Sequence, residues 1–224
     1  MTTADREKLK TLQQREAKRF VAEHPRSAEL YKRAQQSLLG GVPMNWMKKW
    51  AGEFPVFMTK AKGAHFTCAD GKEYVDLCLG DTGAMTGHSP DVVAEAVTKR
   101  VKEGITLMLP TEDGAFVGED LKRRFGLPYW QFTLTATDAN RFSIRIAREI
   151  TQRSKILVFH YCYHGTVDES FATLENGVVG PRRGNIGPPV NPAETTRVVE
   201  FNDLNALEEA LKHNDERQEF SIAA

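Results

Sequence analysis

The chain has little of what marks several protein classes. Cysteine occurs only at Cys68, Cys78 and Cys162. That odd, widely spaced set is neither a disulfide framework nor a zinc ribbon, so reduced cytosolic thiols are the expectation. Net charge is also missing, because 30 Lys and Arg meet 30 Asp and Glu. With no basic field and no acidic tail, no nucleic-acid partner is expected. Weak charge repulsion leaves self-association open. No apolar run reaches the length of a bilayer span, and the opening MTTADREKLK lacks the apolar core of a secretory signal. The expectation is therefore no membrane partner and a cytoplasmic location. Internal repeats are absent as well.

What is present suits a globular protein: 41% of residues are hydrophobic and 27% charged. Residues 4–22 predict a helix with a thin stripe of Leu9, Leu12, Phe20 and Val21. Residues 27–38 predict a second helix, ended by Gly40 and Gly41. Residues 1–40 thus read as a helical arm. Residues 41–88 read as a small subdomain, an antiparallel meander with strands at 56–58, 64–67 and 73–77. Gly63 and Asp70-Gly71 supply its turns.

From 89 to 224 helices and strands alternate. Ser89 is expected to cap a helix that Pro90 begins, with Val93, Val97 and Val101 on one face and Gly104 at its end. Another helix is expected at 111–124. A strand at 130–133 should lead into a helix at 138–150 with Ala139, Phe142, Ile146 and Ile150 facing inward. Strands follow at 155–159 and 197–201, and Asn202 is expected to cap a helix carrying Leu204, Leu207 and Leu211. Such alternation predicts an α/β unit with a mostly parallel sheet and covering helices. The Gly/Pro-rich stretch 177–192 is too long for an ordinary connection, so it reads as a functional or mobile loop. The tail HNDERQEFSIAA brings charges where an apolar strand is due, and the sheet is expected to break off there.

Two stretches carry chemistry. Thr135, Ala136 and Thr137 stand at a strand-to-helix junction. The first turn of a helix leaves N–H groups free and carries positive dipole, which suits a phosphate. The plainer reading is that Thr135 or Thr137 only caps the helix. Cys162, Tyr163, His164 and Gly165 follow a strand end, where open α/β sheets bind ligands. Tyr163 offers a face for a flat ring, His164 a polar edge, and Gly165 a close approach. Taken alone, Tyr163 reads first as a core or rim aromatic and His164 as a hydrogen-bonded bystander. The spacing of Cys162 and His164 suits no ordinary zinc site, so no metal is expected.

Taken together, the two stretches resemble class III aminotransferases. TATDAN at 135–140 is similar to that family's SGTEAN phosphate cup, and YHG at 163–165 follows at the family's spacing. KGAHFTCADG at 62–71, YVDL at 74–77, Gly87-His88 and FNDL at 201–204 match in order. LGGV at 39–42 resembles the start of glutamate-1-semialdehyde 2,1-aminomutase-like members. The resemblance spans roughly residues 27–214. It implies fold type I, pyridoxal phosphate (PLP) as cofactor, small amino-acid and keto-acid substrates, and a homodimer. It also implies that Thr135, Ala136 and Thr137 hold the phosphate, that Tyr163 stacks on the pyridine ring with His164 beside it, and that Trp46 and Thr82 approach the substrate.

The departures are specific. Ala136 replaces the cup glycine and Asp138 the glutamate. The aminomutase pattern is not kept around Asp81-Thr82, which favours a transaminase acting on some other amino acid, such as a β- or D-amino acid. No motif for the Schiff-base lysine or for the acid that protonates the pyridine nitrogen occurs, so no catalytic residue is assigned. Lys155 and Lys212 read as solvated charges. The expectation is the N-terminal half of a transaminase, truncated before its lysine and inactive alone. The alternatives are a non-catalytic truncated paralogue that binds PLP weakly or pairs with an intact aminotransferase subunit, and a phosphate binder unrelated to PLP.

Overall fold

Charge pairs one turn apart support the first helix, α1 (Thr3–Glu23), where Arg19 meets Glu23 at 2.9 Å. The structure, a computed structural model, describes residues 3–105, 108–217 and 220–223. The chain divides into two units, Met1–Leu109 and Pro110–Ala224. Of the expected α1 stripe, Leu12 and Phe20 are half-buried, while Leu9 and Val21 stay exposed. Phe20 stacks on His24 and packs against Phe54. Helix α2 (Pro25–Ala34) starts two residues earlier than expected, with Pro25 in its first turn, and is shorter. Its N-terminus is capped from a distance. Asp70 accepts hydrogen bonds from the Arg26 N–H (2.6 Å), the Ser27 N–H (3.2 Å) and the Ser27 hydroxyl (2.6 Å). Burial pushes the Asp70 carboxyl up, but those donors outweigh it and hold it below its ordinary value.

The meander forms as β1 (Met58–Lys62), β2 (His65–Cys68) and β3 (Glu73–Val75), antiparallel in that order. The first strand is displaced from 56–58, because only from Met58 onward does β2 lie opposite to pair with it. The third ends before Asp76, whose carboxylate turns back onto the N–H groups of Cys78 and Leu79. Helix α3 (Asp91–Glu103) corrects the capping expectation: Pro90 is the cap, while Ser89 lies outside at φ 49 and makes no capping bond. Val93, Val97 and Val101 share a face but are each more than half exposed.

The second unit opens with α4 (Glu112–Phe125), with Thr111 at the N-cap position but making no capping bond, and Gly126 closing it in the left-handed region. The expected strand at 130–133 does not form. Helix α5 (Ala136–Thr151) leads into β4 (Lys155–Phe159). A hairpin of β5 (Ala172–Glu175) and β6 (Val178–Pro181) follows, so the front of the supposed 177–192 loop is strand. Then come α6 (Pro192–Thr195), β7 (Thr196–Val199), α7 (Leu204–Arg217) and β8 (Phe220–Ala223). Asp203, not Asn202, caps α7, accepting from the Ala206 N–H at 2.9 Å, while Asn202 sits at φ 64.

Strand β4 is central. It pairs in parallel with β7 on one side and β8 on the other. The tail therefore does deliver the strand that its composition seemed to withhold. Ile156, Leu157 and Val158 of β4 are fully buried. Ile156 and Val158 pack with Ile144, Val167, Ala172 and Val198 on one face, and Leu157 with Val199 and Ala210 on the other. A strand covered on both faces is what a parallel sheet requires. Helix α5 contributes Ile144 to this core. The expected inward residues Ala139, Phe142, Ile146 and Ile150 are exposed instead.

Candidate functional site

The first turn of α5 and the loop after β4 are bonded to each other. Thr135 is the N-cap, in extended conformation. Its hydroxyl accepts from the Asp138 N–H at 3.1 Å and donates to the Asp138 carboxylate at 2.8 Å. The capping reading therefore applies to Thr135, whose hydroxyl hydrogen is already given to Asp138. It leaves the N–H groups of Ala136 and Thr137, which a helix cannot satisfy from its own backbone. Thr137 is used differently. Its Oγ1 accepts from the Thr166 N–H at 3.0 Å, so its own hydroxyl hydrogen remains to be donated. One turn on, Asn140 Nδ2 donates to the His164 carbonyl at 3.0 Å.

These two bonds bring the phosphate-cup residues and Tyr163-His164-Gly165 together. Gly165 is buried against Thr137 at φ +77, a conformation and a closeness that exclude a side chain. Tyr163 stays exposed and touches Phe171 edge-on, with centroids 6.1 Å apart. His164 Nε2 is buried with no hydrogen-bond partner among the described residues. A cavity of 440 Å³ opens here, lined by Phe159, His160, Tyr161, Cys162, Tyr163, His164 and Phe201. Burial pushes the Cys162 thiol up, which disfavours the thiolate form.

Sequence reasoning missed three participants. Asn140 lay inside the motif, but its reach to His164 depends on the loop returning to α5. His160, which lines the cavity, accepts at Nδ1 from the Leu174 N–H at 2.8 Å, so Nε2 carries the ring's N–H. Arg182 Nη1 donates to the Cys162 carbonyl at 2.6 Å. Only a basic residue in a Gly/Pro-rich stretch hinted at it.

Trp46 and Thr82 belong to the first unit. Trp46 lines a 390 Å³ cavity with Val42, Pro43, Trp50 and Phe57. Thr82 closes a run of four residues, Leu79 to Thr82, all at positive φ. Asp76 anchors the start of that run through its bonds to Cys78 and Leu79, and its other oxygen meets His88 Nε2 at 2.6 Å. The His88 hydrogen bond, with the two backbone donors, holds the Asp76 carboxyl below its ordinary value.

The class-III aminotransferase profile matches residues 46–224. The match therefore includes the tail that seemed off-pattern. A glutamate-1-semialdehyde 2,1-aminomutase from Methanocella arvoryzae is 35% identical over 196 residues, 85% of this chain but 45% of that protein. A glutamate-1-semialdehyde-aminomutase from Pseudomonas aeruginosa PAO1 superposes with a TM-score of 0.88 at 48% identity, covering 96% of this chain and 47% of that one. A lysine-to-alanine variant of the latter, solved in complex with PMP, matches equally well. The chain spans about half the length of the curated relatives it matches.

Proposed function

Since the chain belongs to the class-III aminotransferase family, we propose that its second unit holds the phosphate and one ring face of pyridoxal phosphate in a transaminase. The reaction is amino-group transfer between an amino acid and a keto acid or aldehyde. The fold is that of the fold type I PLP-dependent transferases, and the family is one of enzymes. The observation that carries the reading is the pair of bonds from Thr137 and Asn140 to the loop at 164–166. They set a helix N-terminus beside an exposed tyrosine face.

The residues fit the cofactor. The N–H groups of Ala136 and Thr137 and the Thr137 hydroxyl hydrogen form a donor set for a dianionic phosphate, with the α5 dipole behind them. Thr135 shapes that turn as its cap. Tyr163 presents a ring face, and the unpaired His164 Nε2 awaits a polar partner. PLP, when bound, supplies an electron sink for the substrate's α-carbon. These residues bind and orient it. Trp46 and Thr82 are proposed on the substrate side. By the family's chemistry, the lysine amine that moves protons lies in the part of the relatives' length that this chain does not span.

A titration tests the reading. PLP should bind with millimolar or better affinity, and pyridoxal, which lacks the phosphate, at least tenfold more weakly. Equal affinity for both would remove the phosphate site. A second reading is favoured by one observation: Phe142, Ile146 and Ile150 lie along one face of α5 and are each at least half exposed. Such a face suits pairing with an intact aminotransferase subunit without catalysis. Co-purification with a full-length relative would favour it.

A further inference from the structure

Tyr163 is the ring-facing residue of the proposed site, yet its own surroundings hold it weakly. It is 65% exposed, and its ring meets Phe171 only edge-on. The loop that carries it is strained, because Tyr161 sits at φ 60, where a bulky side chain is disfavoured. Something outside the loop must keep this segment in place.

Arg182 has the geometry to do so. Its backbone is fixed just after β6: its N–H donates to the Phe171 carbonyl at 2.8 Å, and its carbonyl accepts from the Asn185 N–H at 2.8 Å. From that anchor the guanidinium reaches across. Nη1 donates to the Cys162 carbonyl, and the guanidinium carbon lies 5.7 Å from the Tyr161 ring centroid and 5.9 Å from that of Tyr163. One planar cation thus touches three consecutive residues, a carbonyl flanked by two aromatic rings. Planarity matters, since a guanidinium can lie against rings and donate in-plane at once, which an ammonium cannot.

We infer that Arg182 is a positioning residue that sets the pose of the Tyr163 ring by clamping the 161–163 segment from the β5–β6 hairpin. Its effect on the cofactor rests on the proposed function, whereas its effect on Tyr163 does not. Removing it should therefore harm recognition of a ring more than recognition of a phosphate.

Two measurements on the full chain separate these claims. The first is fluorine NMR of fluorotyrosine-labelled protein without ligand, with resonances assigned by Tyr161→Phe and Tyr163→Phe. Arg182→Met should move and broaden both resonances, and Arg182→Lys should move them less. Unmoved resonances in both variants would overturn the clamp. The second compares binding of PLP with binding of inorganic phosphate. Arg182→Met should weaken PLP about tenfold and leave phosphate within about twofold, with Arg182→Lys in between. Equal loss of both ligands would overturn the ring-specific role and leave Arg182 as general scaffolding. If wild-type chain binds neither ligand, the proposed function fails, and the fluorine spectra alone decide the clamp.

Discussion

Gly165 lies so close to Thr137 that a Cβ added to it would run into the threonine hydroxyl and stand 2.8 Å from the threonine Cα. The Cα is backbone and the Cβ is fixed to it, so the obstruction cannot swing aside as the end of a long side chain can. The loop after β4 thus reaches the first turn of α5 only because residue 165 has no side chain.

Gly165→Ala should therefore be costly. The left-handed φ costs roughly 1–2 kcal/mol for alanine, and the forced overlap about 1–3 kcal/mol more. At roughly 2–4 °C per kcal/mol for a chain of this size, Tm should fall by at least about 4 °C. Thermal unfolding followed by circular dichroism checks this. A fall under about 2 °C would mean the loop moves away from Thr137 without penalty.

Capping and phosphate binding should separate by residue. Thr135→Ala removes the N-cap bond to Asp138 and should cost about 1 kcal/mol in urea unfolding, with PLP affinity reduced only a few-fold. Thr137→Val removes both the acceptor for Thr166 and the free hydroxyl donor, so PLP affinity should fall at least tenfold. Thr137→Ser should recover most of it. If Thr135→Ala damages PLP binding more than Thr137→Val, the roles assigned from the hydrogen bonds are reversed.

The legible parts of the molecule were those whose signal is local. The run at 155–159 reads as a strand, and Thr135 or Thr137 as a helix cap, because neither depends on distant residues. The buried face of α5 is not legible in the sequence, because the helix carries two sets of apolar residues and periodicity cannot say which one the sheet covers. The inward face is the one bearing Thr137, Asn140 and Ile144, whose polar members bond the neighbouring loop. Residues 130–133 have strand propensity but no partner in the sheet, and propensity without pairing does not make a strand. Phe220–Ala223 looked too weak for a strand, yet β4 offered it a free edge. His160 and Arg182 were invisible for the same reason, since each acts on backbone that is distant in sequence.

Glu23 should give the first unit an acid-sensitive contact. It bonds the Lys72 ammonium in the β2–β3 turn and the Arg19 guanidinium on α1. Lys72 first and Arg19 second lower its pKa from 4.5 to about 2. A depressed carboxyl contributes stability that is complete above the unfolded value and is lost as pH falls through the folded one. The window thus runs from about pH 4.5 down to about 2. The difference in urea midpoint between wild type and Glu23→Gln should shrink across that window. A difference that stays constant from pH 6 to pH 2 would show the contact is not made in solution.

Asn140 gives the sharpest test of the link between α5 and the β4 loop, because its substitutions rank by charge rather than by size. Its Nδ2 donates to the His164 carbonyl from a part-buried position. Asn140→Ala removes the donor and leaves that carbonyl to water, at a cost of about 1–2 kcal/mol. Asn140→Asp keeps the shape but sets a carboxylate against the carbonyl oxygen, and near neutral pH it should cost more than alanine does. Lowering the pH should then narrow the gap, since a protonated aspartic acid can donate where the carboxylate cannot. Amide hydrogen exchange gives a local readout. The Thr166 N–H, which donates to Thr137 in the same junction, should lose protection in both variants, and more in Asn140→Asp. If Asn140→Asp proves as stable as wild type at pH 7, the bond to His164 is not what holds the loop to the helix, and the site's assembly must rest on Thr137 and Gly165 alone.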